Sequence, residues 1–220
     1  IEEIDLVNEK VHLADRDSLS YDILVIALGC VDKYHGVPGA QQYTQSIQTL
    51  SATRKTYQTL NDIQPYGHVS IVGGGLSGVE LASELRECRQ DLNIQIFDRG
   101  ESVLSSFPNK LQKYVREWFD EHDVDIQACA SVDRVEPQIV HNKGQEFHTD
   151  CVVWTAGIQP SPLVQNLNLP KDSRGRILLN EHHQVPTYKN VYVIGDCASL
   201  PFPPSAQLAE SQGKQAAEVI

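Results

Sequence analysis

A glycine-rich turn in the first half of the chain limits the possible folds more than any other segment. The turn reads Gly73-Gly74-Gly75-Leu76-Ser77-Gly78, and a β-rich run, His68–Val72, comes directly before it. A segment with helical spacing, Val79–Cys88, follows the turn, and a second β-rich run then ends at Asp98. Strand, turn, helix and strand within about 30 residues predict one βαβ unit of an α/β fold.

Each glycine of the turn has a predicted physical role. Gly73 permits the tight turn, Gly75 lacks a Cβ so that a pyrophosphate can approach the backbone, and Gly78 lets the helix pack closely on the strand. Together with Gly74 and Ser77 they would form a cradle in which the N–H groups at the helix start face phosphate oxygens. The turn therefore predicts a Rossmann-type dinucleotide-binding site. A structural glycine turn without a ligand is the alternative that the motif leaves open.

An acidic residue lies where such sites recognise ribose. Asp98 follows the last glycine by about 20 residues and would accept hydrogen bonds from the adenine ribose hydroxyls. Its carboxylate would repel a 2′-phosphate, which favours NADH over NADPH. Arg99 leaves NADPH open, because an arginine beside this position would pair with that phosphate. Glu80, early in the helix, either complements the helix dipole or touches the nicotinamide and guides a proton.

The charge balance and the cysteines exclude some classes of protein. The chain has 18 Lys and Arg against 29 Asp and Glu, a net charge of −11, which argues against nucleic acid and anionic lipid as partners. No two of the five cysteines form a CxxC pair, which predicts a reduced, cytoplasmic protein. The eight histidines show no metal-ligand spacing, so we expect no metal site.

Other segments carry recognisable periodic patterns. Thr49–Leu60 and Asn109–His122 predict helices, and the second has amphipathic spacing. Tyr21–Leu28 and Cys151–Trp154 predict strands, and the first is expected to be buried on both faces because its apolar run is nearly continuous. Asn142-Lys143-Gly144 predicts a hairpin turn.

Three further motifs surround the βαβ unit. Leu24–Gly29 and Val153–Gly157 resemble the two strand-to-loop crossovers of two-dinucleotide flavoproteins, and Val193–Ala198 resembles their late Gly-Asp motif. With Gly73–Glu80 between them, the order of motifs resembles the pyridine nucleotide–disulfide oxidoreductase superfamily. The absence of a paired-cysteine motif argues against the glutathione and lipoamide type of disulfide reductase.

The resemblance implies a particular domain organisation. A Rossmann-type NAD(H)-binding domain, residues 66–154, would be inserted into a partial FAD-binding domain made of residues 1–65 and 155–220. Within the superfamily, the chain most resembles type II NADH dehydrogenases, the single-subunit NADH:quinone oxidoreductases. These proteins pass hydride from NADH to FAD and electrons onward to a quinone, with respiratory-chain roles.

One segment carries the resemblance to this particular family. The chain reads Ala206-Gln207-Leu208-Ala209-Glu210-Ser211-Gln212-Gly213, where the family has Ala-Gln-x-Ala-x-Gln-Gln-Gly with two glutamines lining the flavin and quinone pocket. Gln207 matches the first of them, whereas Ser211 replaces the second, which leaves the quinone as acceptor open. The resemblance implies a helix that starts near Ala206 and directs its positive end at the flavin.

The resemblance also assigns roles to individual residues. Asp196, with Gly195 before it, would bind the ribityl chain of FAD. Ala156 and Gly157 would lie near the nicotinamide. Glu80 and Gln207 are the expected catalytic residues.

The chain is expected to be an internal piece of a longer protein. It begins with Ile1 and contains no methionine. The family's first GxGxxG motif, which binds the ADP part of FAD, does not occur before Gly73. We expect that motif upstream and the family's membrane-binding helices beyond Ile220. The chain alone is then expected to bind little or no FAD and to show no turnover.

Several alternatives stay open at this point. The whole protein would be cytoplasmic, with peripheral attachment to the inner face of the cell membrane only through segments outside this chain. A homodimer is one open assembly state. The competing functions are a soluble NAD(P)H-dependent flavoprotein reductase of a small redox protein and a non-catalytic NADH-sensing protein.

Overall fold

A computed structural model describes residues 1–202 and 204–220. The strands are β1 (Glu3–Asp5), β2 (Lys10–Leu13), β3 (Arg16–Ser20), β4 (Leu24–Ile26), β5 (Cys30–Asp32), β6 (His68–Val72), β7 (Asn93–Phe97), β8 (Val124–Gln127), β9 (Val132–Glu136), β10 (Ile139–Asn142), β11 (Gln145–His148), β12 (Cys151–Trp154), β13 (Ile158–Pro160), β14 (Gln184–Val185) and β15 (Tyr188–Val193). The α-helices are α1 (Ala40–Tyr43), α2 (Leu50–Asp62), α3 (Leu76–Cys88), α4 (Asn109–Glu121), α5 (Pro162–Asn166) and α6 (Ala206–Val219), and Gly195–Cys197 forms a 3₁₀ turn. These elements confirm the predicted α/β class.

The chain forms two compact units. The terminal unit comprises residues 1–31 and 159–220, and the central unit comprises residues 32–158. The central unit includes residues 32–65, which lie outside the predicted 66–154 segment. Backbone hydrogen bonds tie this segment to the central unit. Gln45 pairs with the edge of β12, donating its N–H to the Val152 carbonyl at 2.7 Å and accepting from the Trp154 N–H at 2.9 Å.

A four-stranded parallel sheet, in the order β12-β6-β7-β8, forms the middle of the central unit. β12, β6 and β7 end at the same position along the sheet. Val72, the last residue of β6, pairs with the last residue of each neighbour, Phe97 of β7 and Trp154 of β12. The β-branched residues of β6 and β7 are buried, and α3 and α4 cover them with Leu85 and Phe119. The predicted βαβ unit is therefore confirmed, with α3 beginning at Leu76, three residues earlier than its helical spacing suggested.

The ends of the helices are held by specific groups. Thr49 caps α2 by accepting the Ala52 N–H at 3.2 Å. At the other end of α2, the Arg89 guanidinium donates to the carbonyls of Leu60 at 2.9 Å and Ile63 at 2.8 Å. Arg89 also forms a two-point ion pair with Asp91. This arginine therefore joins the end of α3 to the end of α2.

A three-stranded antiparallel sheet, in the order β11-β10-β9, also belongs to the central unit. Lys143 and Gly144 connect β10 to β11 with φ angles of 51° and 77°. Two successive positive φ values are typical of a type I′ turn, whose twist suits a hairpin. The predicted hairpin is confirmed.

Two three-stranded sheets belong to the terminal unit. One is an antiparallel meander, β1-β2-β3, and the other has the order β14-β15-β4 with β4 parallel to β15. The hydrophobic core of the terminal unit includes Ile26, Val191 and Val193. The strand predicted over Tyr21–Leu28 is shorter, Leu24–Ile26.

The expectation that this strand is buried on both faces is wrong. Ile26 is 2% exposed, but Val25 is 42% and Leu28 is 38% exposed. Among the described residues, β4 has a strand neighbour only at β15 and is an edge strand of its sheet. Only one of its faces therefore packs against the core of the terminal unit.

Candidate dinucleotide-binding site

A cavity opens at the carboxyl ends of the three level strands of the central unit. Thr155–Gly157 follow β12, Gly73–Gly75 follow β6, and Asp98 and Arg99 follow β7, and all of these residues line a cavity of about 530 Å³. In open parallel α/β sheets, ligands bind outside the carboxyl ends of the strands. The cavity is therefore where the glycine motif predicts a ligand.

At three positions of the glycine turn, Gly73, Gly74 and Gly78, a Cβ would lie closer than 3.0 Å to other atoms. Gly73 has a φ of +116°, and a Cβ there would lie 2.8 Å from the Ala156 backbone. A Cβ on Gly78 would lie 1.9 Å from the Gly73 carbonyl oxygen. By contrast, a Cβ on Gly75 would meet nothing within 4 Å. The turn is therefore tightly packed at Gly73 and Gly78 and leaves free space at Gly75, where a ligand could approach the backbone.

The Asp98 carboxylate has a second role that the sequence analysis missed. Its Oδ2 accepts the backbone N–H of Gly74 at 2.7 Å, and its Oδ1 accepts the N–H of Gly100 at 2.8 Å. The carboxylate therefore holds the glycine turn in place as well as facing the cavity. The spacing Asp-x-Gly, common in turns where Asp bonds the N–H two residues later, was the only local signal. Arg99 beside it is exposed.

The rest of the cavity wall combines apolar rings with hydroxyl groups. Phe97 and Trp154 are both 2% exposed and form its inner part. Leu104 and Phe107 add apolar surface, and the serines 105, 106 and 131 add hydroxyls. A mostly apolar cleft with a few polar groups is typical of cofactor sites.

A histidine that the sequence analysis missed also lines the cavity. The Nε2 of His35 donates to the Ala156 carbonyl at 3.0 Å. A Cβ on Gly157 would lie 2.9 Å from this nitrogen, so the imidazole packs against the glycine of the crossover. No sequence pattern could have found this contact, since 121 residues separate His35 from Ala156.

Three of the predicted binding residues do not line this cavity. Ser77, Gly78 and Glu80 all lie in the first turns of α3 and are absent from the cavity wall. Gly78 is buried against the turn, whereas Ser77 and Glu80 are exposed. The expected contact between Glu80 and a nicotinamide therefore stays a prediction.

The remaining predicted residues belong to the terminal unit. Gly195 has a φ of +75°, and its N–H is accepted by the Gln212 side chain at 2.7 Å. Asp196 is half-buried in the following turn. Ala206 begins α6, and Gln207 is exposed. Gln212, 2% exposed, is a structural residue of this turn that the sequence analysis missed.

The Gly-Asp turn can be tested as a flavin site on its own geometry. The enclosed space that Gly195, Asp196 and Gln212 line measures about 10 Å³, and a single water needs roughly that volume. The Gln212 amide nitrogen is buried with no hydrogen-bond partner among the described residues. The Gly-Asp turn therefore offers polar groups suited to a ribityl chain, and the space that these residues line is small.

Burial makes three of the cysteines unreactive. It raises the pKa of Cys30 to about 12 and that of Cys151 to about 12, and it also raises the pKa of Cys197. Thiols with such pKa values stay protonated at neutral pH and are poor nucleophiles. Cys88 and Cys129 are exposed. In residues 1–202 and 204–220, no group of three or more His, Cys, Asp or Glu side chains could hold a metal ion.

A helix that crosses a bilayer needs about 20 predominantly apolar residues. No helix in the described part of the chain combines the length with the apolar character that such a crossing requires.

Comparison with known proteins identifies relatives of the whole chain. A family model described as pyridine nucleotide-disulphide oxidoreductase matches residues 1–213. The NADH dehydrogenase-like protein YutJ of Bacillus subtilis is 53% identical over 220 residues, which are 100% of this chain and 62% of that protein. The demethylphylloquinone reductase NdbB of Synechocystis is 31% identical over 208 residues, which cover 89% of this chain and 52% of that protein.

A solved structure shares the fold. Reduced CoADR-RHD of Bacillus anthracis has a TM-score of 0.86 to this chain at 24% identity, covering 99% of this chain and 42% of the other. The chain thus spans about half to three-fifths of the length of YutJ and NdbB.

Proposed function

The chain belongs to the pyridine nucleotide-disulphide oxidoreductase family, and we propose that it binds NADH as the electron donor of an NADH dehydrogenase-like oxidoreductase. The observation that carries the proposal is the cavity of about 530 Å³, which the glycine turn and Asp98 line together. The name of YutJ, 53% identical to this chain, supports the choice of reaction. In this proposal residues 66–154 bind the dinucleotide, and the flanking residues belong to the FAD-binding part of the whole protein.

The pyrophosphate of NADH would lie over the glycine turn. The N–H groups at the start of α3 have no partner within the helix and carry its positive end, so they favour phosphate oxygens. Gly75 leaves that space open, since a Cβ there would meet nothing within 4 Å. Phosphate binding therefore needs no lysine or arginine, which agrees with the acidic composition of the chain.

The adenine ribose would bind at Asp98. Two backbone N–H groups already fix the carboxylate, and each of its oxygens has a second lone pair that can accept from a ribose hydroxyl. A 2′-phosphate would bring two like charges together at this position. We therefore propose a preference for NADH over NADPH, in spite of the neighbouring Arg99.

The electron acceptor is proposed to be a quinone. NdbB, 31% identical, is named a demethylphylloquinone reductase, and Gln207 is exposed at the start of α6. Because this chain spans only 62% of the length of YutJ, the acceptor is tested on the whole protein. NADH oxidation is compared with a menaquinone analogue and with a ferredoxin-type acceptor; a preference for the ferredoxin would contradict the proposal.

Calorimetric titration of this chain with NADH, and separately with NADPH, tests the binding proposal. Saturable binding of NADH with at least about tenfold weaker binding of NADPH is the expected result. Equal affinities would overturn the role of Asp98, and binding of neither would overturn the dinucleotide site. A visible spectrum of the purified chain is the companion measurement, since flavin bands in stoichiometric amount would contradict the expected weak binding of FAD.

A further inference from the structure

We propose that His35 binds the nicotinamide half of the dinucleotide and is a specificity-determining residue of the site. The inference rests on the proposed function and extends it, because the cavity has two ends and the glycine motif accounts for only one of them. Its first support is the order of the strands. β6 lies between β12 and β7, and all three end at the same level.

This order fixes how a dinucleotide lies in the cavity. The pyrophosphate belongs at the glycine turn after β6, and the adenine ribose belongs at Asp98 after β7. The second nucleoside must then extend to the other side of β6, over the end of β12. That end consists of Ala156 and Gly157, and both line the cavity.

His35 lies at this second end of the cavity. Its Nε2 is 3.0 Å from the Ala156 carbonyl oxygen. Two more bonds fix the backbone beside it: the Lys33 N–H donates to the Gly157 carbonyl at 2.9 Å, and the Trp154 indole donates to the Lys33 carbonyl at 3.0 Å. The imidazole is therefore held against the end of β12 by its own bond and by those of its neighbour.

The backbone of His35 has a positive φ, +52°, a conformation that histidine adopts more often than most residues other than glycine. The side chain is exposed rather than part of a core, so packing does not explain the choice of residue.

The hydrogen bond to Ala156 determines what the ring can offer a ligand. A carbonyl oxygen can only accept, so Nε2 carries the proton. In the neutral ring Nδ1 is then an acceptor. The nicotinamide half of NADH presents donors in its carboxamide NH₂ and in the hydroxyls of its ribose, and ADP-ribose keeps that ribose but lacks the carboxamide. Nδ1 of His35 is therefore assigned to the carboxamide NH₂, the donor that NADH has and ADP-ribose does not.

This difference makes the proposal testable on the chain itself. Wild type and His35→Gly are titrated with NADH and with ADP-ribose by calorimetry. Glycine suits the φ of +52°, so this variant removes the imidazole without adding backbone strain. We expect His35→Gly to weaken NADH binding about fivefold to tenfold, the equivalent of one lost hydrogen bond. ADP-ribose binding should stay within about twofold of wild type.

A second histidine supplies the matched control. His68 is exposed at the start of β6, at the opposite end of the sheet from the cavity. His68→Ala should leave both affinities unchanged. If His35→Gly changed the two affinities equally, or changed neither, the role of His35 would be refuted while the dinucleotide site stood. If wild type bound neither ligand, the proposed function itself would fail, and this inference with it.

Discussion

Replacing two glycines of the same turn by alanine should change the stability of the chain by different amounts. At Gly78 a new Cβ would lie 1.9 Å from the Gly73 carbonyl oxygen and 2.9 Å from the Thr155 hydroxyl. Since the first of these neighbours is backbone, the start of α3 must move away by about 1 Å to restore van der Waals distances. At Gly75 a new Cβ would meet nothing within 4 Å, and the φ of −76° suits alanine.

The magnitudes follow from these contacts. Overpacking of this kind costs about 1–3 kcal/mol, and a backbone clash lies at the upper end. Alanine in a helix recovers about 1 kcal/mol relative to glycine. Gly78→Ala should therefore lower the free energy of unfolding by about 2 kcal/mol, a fall in Tm of roughly 4–8 °C for a chain of this length. Gly75→Ala, at the N-cap of α3, should lower the free energy of unfolding by less, about 0.5–1 kcal/mol.

NADH binding should be weakened in both variants, for different reasons. Gly78→Ala moves the N–H groups of α3 by about 1 Å, which misaligns hydrogen bonds to phosphate. Gly75→Ala places a methyl group where the pyrophosphate is proposed to approach. Both variants should weaken NADH binding at least about tenfold. The assays are thermal unfolding by circular dichroism and calorimetric titration. Full stability in Gly78→Ala, or wild-type NADH affinity in Gly75→Ala, would refute the reasoning.

Four further outcomes are expected. Asp98→Asn leaves one acceptor oxygen for two N–H groups, so NADH affinity falls and its ratio to NADPH affinity shrinks; an unchanged ratio would count against the site. Arg89→Ala removes the guanidinium from the end of α2 and should lower the free energy of unfolding by about 2 kcal/mol in urea. Gln212→Leu leaves a backbone N–H without its acceptor and should lower it by about 1–3 kcal/mol; stability equal to wild type would contradict either estimate. A thiol reagent at pH 8 should modify Cys88 and Cys129 in the native chain, and Cys30, Cys151 and Cys197 only after unfolding, because burial raises the pKa of their thiols.

Local patterns predicted the parts of the fold that depend on short-range structure. The glycine turn, the amphipathic helix Asn109–Glu121 and the hairpin at Gly144 all appear where expected. Each of them depends on the spacing of apolar residues or on a backbone conformation that only certain residues adopt. Both features can be recognised from a few neighbouring residues. Such signals also located Asp98 at the end of its strand.

Contacts between distant residues were not predictable in the same way. The bond from Gly74 to Asp98 spans 24 residues, the bond from Arg89 to Leu60 spans 29, and that from His35 to Ala156 spans 121. These contacts arise only once the sheet brings strand ends together. The burial of Tyr21–Leu28 was overestimated for a related reason, because an apolar run does not reveal whether other parts of the chain cover both faces of its strand.

The central claim is that NADH binds at the glycine turn, and amide NMR of the labelled chain during an NADH titration tests it most directly. We predict the largest shift changes at Gly73, Gly74 and Gly75 and at Gly100, whose N–H is bonded to Asp98. The Gly195 amide of the terminal unit should serve as the internal reference. Saturable changes that leave the glycine turn unaffected, or changes centred on Gly195, would contradict the account.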